Sequence, residues 1–230
     1  MATLRLLTYF LLGTLPTVPD KAKLPRSRNY VVTISSFLPA PPCSSMEASF
    51  DNKTNILNAR IRATHDNSVI YTLRTTFGYR GRKDTILHDE NPAPGAASSA
   101  VGAIHWQEKT LEIYGHKKSC AEVRRRTGRF FFNRTRHWKW GEGRKEYEIL
   151  YEHEEWKATL DHNMKVAARF SVPFRPHLFS KSQPALLHLT KTALAEDEVF
   201  LILVFVYCEA KRQDRTVSVS PSIHPWSDNA

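Results

Sequence analysis

The chain has 230 residues, of which 41% are hydrophobic and 24% charged, the composition of a soluble globular protein with room for one domain and tails. Lysine and arginine outnumber aspartate and glutamate by 33 to 23, and the formal charge of +10 favours an acidic partner: an anionic lipid surface, a nucleic acid or an acidic protein. The 3 cysteines are widely spaced and form no C-x-x-C pair, which excludes a zinc ribbon and a thioredoxin-type redox motif.

Residues 1–45 are rich in proline and are predicted to form an extension outside the core, because proline blocks regular strand pairing. Residues 6–15 are apolar and follow Arg5, which is the length and charge order of a signal peptide, although no small-x-small cleavage site follows. Two interpretations stay open. The segment is either a secretion signal or a disordered extension of a cytoplasmic or membrane-peripheral protein.

From Met46 onward, short strand-like stretches alternate with turns. Residues 55–64 and 69–77 alternate polar and apolar side chains on either side of a polar turn, which predicts a hairpin. Residues 78–84 are predicted to be a basic turn and residues 88–100 a mobile loop. Two more hairpins are predicted, from 101–107 with 111–115 and from 129–133 with 137–140. The other predicted strands are 85–87, 145–152, 156–160, 165–173 and 183–189.

The most apolar stretch is the run at residues 199–207, which leaves no polar face for water. It is about half as long as the roughly 20 residues that a membrane-spanning helix needs, so we expect it to be buried in the protein. Its β-branched and aromatic residues are typical of a central strand, whereas the acids at 196–198 and the bases Lys211 and Arg212 complement a helix dipole. A buried helix is the favoured interpretation, followed by a disordered tail over residues 213–230.

These elements predict a mainly β (α+β) domain over residues 46–212. Regular short strands without a long amphipathic helix indicate an antiparallel sheet, and closing that sheet into a β-barrel removes its exposed edges. The apolar helix near the C-terminus would then fill an interior that about ten strands otherwise leave hollow.

Several motifs share their order and spacing with a known family. They are Asn58 with Val69-Ile70-Tyr71 and Thr75, Ile104-His105-Trp106, Leu111-Glu112-Ile113-Tyr114-Gly115, Arg129-Phe130-Phe131 with His137-Trp138-Lys139-Trp140, Lys165-Val166-Ala167-Ala168-Arg169-Phe170, and Phe205-Val206-Tyr207-Cys208-Glu209-Ala210-Lys211-Arg212. Together they resemble a fungal family catalogued as domain of unknown function 6593, over residues 46–212. That family usually has an Asp-Gly turn before its Trp strand, where this chain has Asn133-Arg134-Thr135-Arg136.

The family is similar to the tubby C-terminal-like group, which includes the plant LURP-one-related proteins and the phospholipid scramblases. The resemblance implies an antiparallel tubby-like β-barrel around a central apolar helix, in agreement with the elements above. It implies no established activity, cofactor or catalytic residue. By analogy with tubby-like relatives, a phosphoinositide or another anionic lipid is the natural ligand.

Positive charge is concentrated between residues 117 and 145, where 11 basic residues stand against 2 glutamates and give 11 − 2 = +9. On adjacent strands and turns, such side chains can form one positive surface suited to phosphate oxygens. A solvated face without a specific ligand is the alternative. Besides Arg129, the predicted lipid-binding or anion-binding residues are Lys117, Lys118, Arg124, Arg125, Arg126, Arg134, Arg136, Lys139, Arg144 and Lys145.

Aromatic residues are interleaved with these charges, as they are in single-strand nucleic-acid platforms. On alternating strands, however, aromatic side chains usually point to the core, so nucleic acid is the less favoured partner. The aromatic residues concerned are Phe130, Phe131, Phe132, Trp138 and Trp140.

No motif predicts an enzyme, a metal site or a cofactor, because the histidines are scattered and no phosphate loop, nucleophile elbow or dinucleotide fingerprint exists. The hypothesis is therefore a non-enzymatic domain that binds an acidic phospholipid surface. An enzyme with a small-molecule pocket at a barrel end is one alternative. A protein-interaction module with an exposed apolar patch around Trp156 or Phe174 is the other.

Overall fold

The computed structural model describes residues 45–92, 94–95, 98–127, 135–160, 165–173 and 183–218, all within the compact unit that begins at Pro42. They form one antiparallel sheet, two α-helices and a 3-10 turn at Ile56–Asn58. The predicted N-terminal extension, apart from Ser45, and the tail from residue 219 lie outside the described residues. The strands are β1 (Ser45–Phe50), β2 (Arg60–Ala63), β3 (Val69–Gly78), β4 (Gly81–Asp89), β5 (Ala100–His105), β6 (Thr110–Ile113), β7 (His116–Ser119), β8 (Arg124–Thr127), β9 (Thr135–Lys139), β10 (Glu146–Glu152), β11 (Glu155–Leu160), β12 (Val166–Ser171) and β13 (Leu186–Thr190).

The strands follow one another across the sheet almost as they do along the chain. Their order is β7-β6-β5-β4-β3-β2-β1-β13-β12-β11-β10-β9-β8. The first seven strands spread in one direction from β1, and the last six return to it, so that β1 pairs with β13. Thus β1 joins the two halves of the sheet, and residues far apart in the chain become neighbours.

The two edge strands, β7 and β8, are consecutive in the chain but do not pair with each other in the described residues. The short helix α1 (Cys120–Val123) joins them, and a capping box between Ser119 and Glu122 fixes its start. Both edges are short and cationic, two features by which proteins prevent edge pairing. The prediction of a mainly β fold is confirmed, whereas the predicted closure of the sheet into a barrel is wrong.

The helix α2 (Lys191–Ser218) packs against the sheet with every residue from 199 to 210 buried. It contacts β1, β5, β6, β12 and β13, so strands from both halves of the sheet cover it. The buried helix is therefore confirmed over the alternative of a central strand. The backbone of Asp197 is non-helical (φ −136°, ψ 24°) and divides a first turn and a half from the apolar part. The helix continues through Ser218, past the domain boundary predicted at residue 212.

One glycine sets how closely the sheet approaches this helix. A Cβ atom on Gly102 of β5 would lie 2.8 Å from Leu203 Cδ1 and 3.0 Å from Val199 Cγ1. Real Cβ atoms do not approach other atoms so closely, and a packed interior has little room to adjust. The absence of a side chain at Gly102 therefore allows α2 to pack directly on β5.

The strand predictions are confirmed for most of the chain, with three kinds of difference. The start of the predicted strand at 55–64 is a 3-10 turn, and β4 is longer than the short strand predicted at 85–87. The strand paired with β9 is β8, while residues 129–133 lie outside the described residues. The strands β1, β7 and β8 were not predicted.

Candidate functional site

The helix α2 defines two ends of the domain. We call the end at which the helix begins the starting end, and the end at which it leaves the core the emerging end. At the starting end, Tyr147 Oη donates to Asp197 Oδ2 at 2.8 Å, just as β10 begins. At the emerging end, Trp156 Nε1 donates to Glu209 Oε2 at 2.9 Å, just as β11 begins, and the helix then continues to Ser218. The hairpin tips and turns around the sheet can be assigned to one end or the other by their contacts with α2.

The hairpin of β3 and β4 reaches the emerging end. Gly78 and Gly81 face each other across a two-residue turn, and Gly81 has a φ of 92°, which favours glycine. Arg82, one residue farther, forms a bidentate pair with Asp214 of α2, with Nη2 2.6 Å and Nη1 3.2 Å from the two carboxylate oxygens. This ion pair fixes the hairpin tip next to the last turns of the helix.

Two large aromatic side chains are exposed at this tip. Phe77 is 64% exposed and Tyr79 is fully exposed, more than any other large hydrophobic residue apart from Tyr114 in the part of the chain that the structure describes. The apolar patch predicted around Trp156 is wrong, since Trp156 is buried beneath Tyr151 and Glu209, and Phe174 lies outside the described residues. Two of the three most exposed aromatic side chains in the described residues therefore lie together on the β3–β4 hairpin, and the third, Tyr114, lies between β6 and β7.

Cations surround the exposed aromatic pair. Arg80 and Lys83 of the hairpin are exposed, and neither has a carboxylate partner among the described residues. Arg82 and Lys211 lie over the Trp106 ring, at 5.2 and 5.8 Å from its centroid. Because the Trp106 ring stacks on Tyr207 at 5.6 Å, these cations are held on top of the aromatic core.

Three of the predicted anion-binding residues reach the same end. Arg126 and Arg136 face each other across β8 and β9, and Arg124 lies on the same face with its guanidinium 5.7 Å from the Trp138 ring centroid. Burial raises the pKa of the Cys208 thiol to about 12, and the nearby positive charges of Arg136 and Arg124 only partly oppose this rise. The inner face of the β8–β9 hairpin therefore adds three arginines around the exit of α2.

The other predicted residues are distributed over different surfaces. Arg125 pairs with Glu146 at 3.0 Å, and Lys139 is exposed on the opposite face from Trp138. Lys117 pairs with Glu108 at 3.0 Å, and Lys118 Nζ donates to the Trp140 carbonyl at 2.7 Å beside the two edge strands. Arg134 lies outside the described residues.

Arg144 and Lys145 belong to the starting end. Arg144 donates to the Glu196 carbonyl and lies 3.8 Å from the Asp197 carboxylate, while Lys145 pairs with Glu196 at 2.9 Å. The structure therefore divides the predicted set between both ends and both faces of the sheet. We refer to Arg80, Lys83, Arg124, Arg126, Arg136, Lys211 and Arg215 as the cationic end.

Acidic side chains limit the cationic end on one side. The turn between β10 and β11 carries Glu152 and Glu154, and Lys157 pairs with Glu152 at 3.6 Å. The Arg212 guanidinium lies next to this turn, 4.7 Å from the Tyr151 ring centroid, but it is already engaged by the buried Glu209 at 2.8 Å. The positive charge without a carboxylate partner among the described residues is thus on the side of the β3–β4 hairpin, at Arg80 and Lys83.

A histidine between two carboxylates lies on the outer surface of the sheet. His105 Nδ1 is 2.7 Å from Asp84 Oδ1, and His105 Nε2 is 3.0 Å from Glu112 Oε2. The ring lies between the two carboxyl groups and connects β4, β5 and β6. The described residues contain no group of three or more His, Cys, Asp or Glu that could hold a metal ion.

The comparisons with known proteins identify the family of this chain but not its function. The model of a family of unknown function, DUF6593, matches residues 54–214. The chain belongs to the DUF6593 family. No curated protein matches it. An X-ray structure of a protein from Arabidopsis thaliana is similar over 73% of this chain and 91% of its own, with 8% identity and a TM-score of 0.40, a likeness too low to support an argument.

The DUF6593 match covers the β3–β4 hairpin and the whole cationic end except Arg215. The sequence analysis predicted a basic turn over residues 78–84, but the turn is confined to Tyr79 and Arg80, because β3 extends to Gly78 and β4 begins at Gly81. It also missed the importance of Phe77 and Tyr79. Gly78 and Gly81 could have indicated it, because their spacing fits a two-residue turn. Tyr79 lies inside that turn and Phe77 lies just before it. None of the helices in the described part of this DUF6593 protein combines the length and apolar character needed to cross a membrane.

Proposed function

We propose that this DUF6593 protein is a non-enzymatic, membrane-peripheral domain that binds anionic phospholipid surfaces with its cationic end. One observation carries the proposal: Phe77 and Tyr79 are exposed at a hairpin tip beside Arg80 and Lys83. Aromatic side chains are favoured at the boundary between lipid and water. Basic side chains are attracted to anionic headgroups, by about 1 kcal/mol for each residue near the surface.

The arrangement suits a surface better than a small molecule. The aromatic pair protrudes, and the interior behind it is filled by Trp106, Tyr207 and Trp138. Arg136 and Arg124 lie on the β8–β9 hairpin near Cys208 of α2 and add positive charge at the same end. The relation to the tubby-like group and the fungal origin, which the sequence suggested, remain predictions, and the proposal depends on neither.

A flotation experiment with the full chain tests the proposal. Vesicles of phosphatidylcholine with phosphatidylserine should carry the protein upward at low salt and release it at high salt, since exposed charges are screened. The double variant Arg80→Glu/Lys83→Glu should lose at least about tenfold in vesicle binding, because two attractive charges of about 1 kcal/mol each become repulsive. Phe77→Ser/Tyr79→Ser should weaken binding at both salt concentrations.

The control variant has the same change of charge at another place on the domain. Lys165→Glu/Arg169→Glu alters two exposed cations at β12, away from the hairpin, and should float like the wild type. Equal losses in the two charge-reversal variants would show a nonspecific charge effect and would overturn the proposal. Unchanged flotation of the hairpin variants, or no flotation of the wild type, would overturn it as well. In that case the exposed aromatic pair would favour the protein-interaction module.

A further inference from the structure

A second cationic surface lies on the outer face of the sheet, apart from the cationic end. It is an open depression of about 600 Å³ between the β1–β2 connection and β3. Its size is within the range of about 300–1,000 Å³ that is usual for small-molecule sites. The side chains that matter for its chemistry are those of Asp51, Lys53, Asn58, Arg60, Thr72 and Arg74.

Strand register places two arginines next to each other in this depression. Arg60 of β2 is directly opposite Thr72 of β3, and Arg74 is the next residue of β3 on the same face. Such diagonal neighbours are about 7–8 Å apart, within reach of two long side chains. Both arginines are exposed, and neither side chain has a hydrogen-bond or ion-pair partner in the described ranges.

The one carboxylate of the depression is used by the protein itself. Asp51 Oδ1 accepts a hydrogen bond from the Arg60 backbone N–H at 2.7 Å, and its Oδ2 lies 3.8 Å from Arg62 Nε, outside the depression. The carboxylate therefore holds the β1–β2 connection against β2. With Lys53 at the rim, the depression carries three cations against one acid.

Unused polar groups lie beside the two arginines. Asn58 Oδ1 accepts from the Thr75 backbone N–H at 2.8 Å, which orients the side-chain N–H₂ of Asn58 away from that contact. The hydroxyl oxygen of Thr72 is buried and has no hydrogen-bond partner among the described residues. A buried polar atom without a partner is uncommon and calls for an explanation, such as a ligand that supplies one.

The loop that forms one wall is held by its own hydrogen bonds. Asn52 Oδ1 accepts from the backbone N–H groups of Thr54 at 3.2 Å and Asn55 at 3.1 Å, and Asn52 Nδ2 donates to the Asn58 carbonyl at 2.9 Å. The loop is thus held in place without a ligand, which reduces the conformational entropy that is lost on binding.

We propose that this depression binds a ligand with two or more phosphate groups, clamped by Arg60 and Arg74. Guanidinium groups match phosphate oxygens in bidentate pairs, and two of them side by side fit a ligand with several charges. The same chemistry occurs in soluble phosphate esters and in phosphorylated lipid headgroups. The site is separate from the membrane-binding hairpin and does not depend on the function proposed for it.

Isothermal titration of the full chain with inorganic pyrophosphate tests this site. The wild type should bind, and Arg60→Gln/Arg74→Gln should lose at least tenfold in affinity, about 1.4 kcal/mol. Thr72→Val should weaken binding by a smaller factor. Lys165→Gln/Arg169→Gln, which removes two exposed cations at β12, should bind like the wild type. Equal binding by the Arg60/Arg74 variant, or no binding by the wild type, would overturn the proposal.

A second arm distinguishes the source of the phosphate groups. Inositol 1,4,5-trisphosphate is compared with phosphatidylcholine vesicles that contain phosphatidylinositol 4,5-bisphosphate, with the wild type and the Arg60/Arg74 variant. A loss with the free inositol phosphate supports a soluble ligand, and a loss with vesicles alone supports the lipid headgroup. Flotation with phosphatidylserine vesicles should stay unchanged in this variant, so failure of one proposal is separable from failure of the other.

Discussion

The two ends of α2 use their charged residues in opposite ways. At the starting end, Arg144 and Lys145 are engaged by Glu196 and Asp197. At the emerging end, Arg80, Lys83 and Lys211 have no carboxylate partner in the described part of the chain, and two aromatic side chains are exposed beside them. The emerging end also has internal ion pairs: Arg82 pairs with Asp214, and Arg212 pairs with the buried Glu209, which accepts a hydrogen bond from Trp156 as well. We call the second of these contacts the internal lock.

The comparison shows why total charge is a poor guide to a binding surface. A cation that is paired with a neighbouring acid is largely neutralised towards any partner, whereas one without such an acid contributes its full field. In the part of the chain that the structure describes, Phe77 and Tyr79 are exposed beside Arg80 and Lys83, which have no carboxylate partner. We therefore expect substitutions at the starting end and at the internal lock to change stability, and those at the cationic end to change binding.

The largest effect on stability is expected from Arg212→Ala. Removal of the Arg212 guanidinium leaves the fully buried Glu209 carboxylate with hydrogen bonds from Trp156 and Gln213 but without a countercharge. Removing one partner of a buried ion pair should lower the free energy of unfolding by about 3 kcal/mol. Urea denaturation measures this change. Arg215→Ala, one turn farther and exposed, should lower it by less than about 0.5 kcal/mol, and equal losses would contradict the lock at Glu209.

A smaller loss is expected from Gly102→Ala, nearer the starting end. The added methyl group would lie within 3.0 Å of both Leu203 and Val199, and overpacking of this kind costs about 1–3 kcal/mol. Gly141→Ala is the matched control, because its nearest neighbour is the flexible end of Lys118 at 3.0 Å, which can move. If thermal unfolding showed the two variants to be equally stable, the close approach of β5 to α2 would be refuted.

The smallest expected effect is on the pH dependence of the free energy of unfolding. Burial raises the pKa values of Asp197 and Glu198 above their ordinary 3.8 and 4.5, so the folded state holds these protons more tightly than the unfolded state. Their stabilising contribution is fully present below the ordinary values and is lost as pH rises through the raised ones. As the pH falls from 7 towards these ordinary values, the wild type should therefore gain stability relative to Asp197→Asn/Glu198→Gln.

Denaturation curves at several pH values measure that difference. The Lys165→Gln/Arg169→Gln variant should keep the pH dependence of the wild type. A constant difference between the wild type and the Asp197/Glu198 variant across this range would show that the two buried carboxyl groups do not titrate there.

The predictions that rested on the pattern of apolar residues were the reliable ones. The run at 199–207 is buried in α2, and the alternation at 69–77 became β3. The strands β7 and β8 were missed because their residues, His116–Ser119 and Arg124–Thr127, are polar or charged and show no apolar alternation. They form strands because they extend the sheet beyond β6 and β9, a reason that exists only in the folded chain.

The candidate site was only partly predictable, for a related reason. The sequence located positive charge at 117–145, but alternation along β8 and β9 turns Arg124 and Arg136 inward and Lys139 outward. The partners that neutralise Arg125 and Lys145 come from other segments, Glu146 and Glu196. Which cations remain unpaired therefore depends on contacts between distant residues.

The sequence alone determined that this protein is a mainly β domain with one buried apolar helix, because the periods of 2 and 3.6 and the position of apolar residues are local properties of the chain. The tertiary structure decided that the sheet stays open between β7 and β8, that β1 pairs with β13, and that Phe77 and Tyr79 remain outside the core. These features depend on pairing and packing between segments that are far apart in the chain, and such contacts leave little signal in the order of the residues.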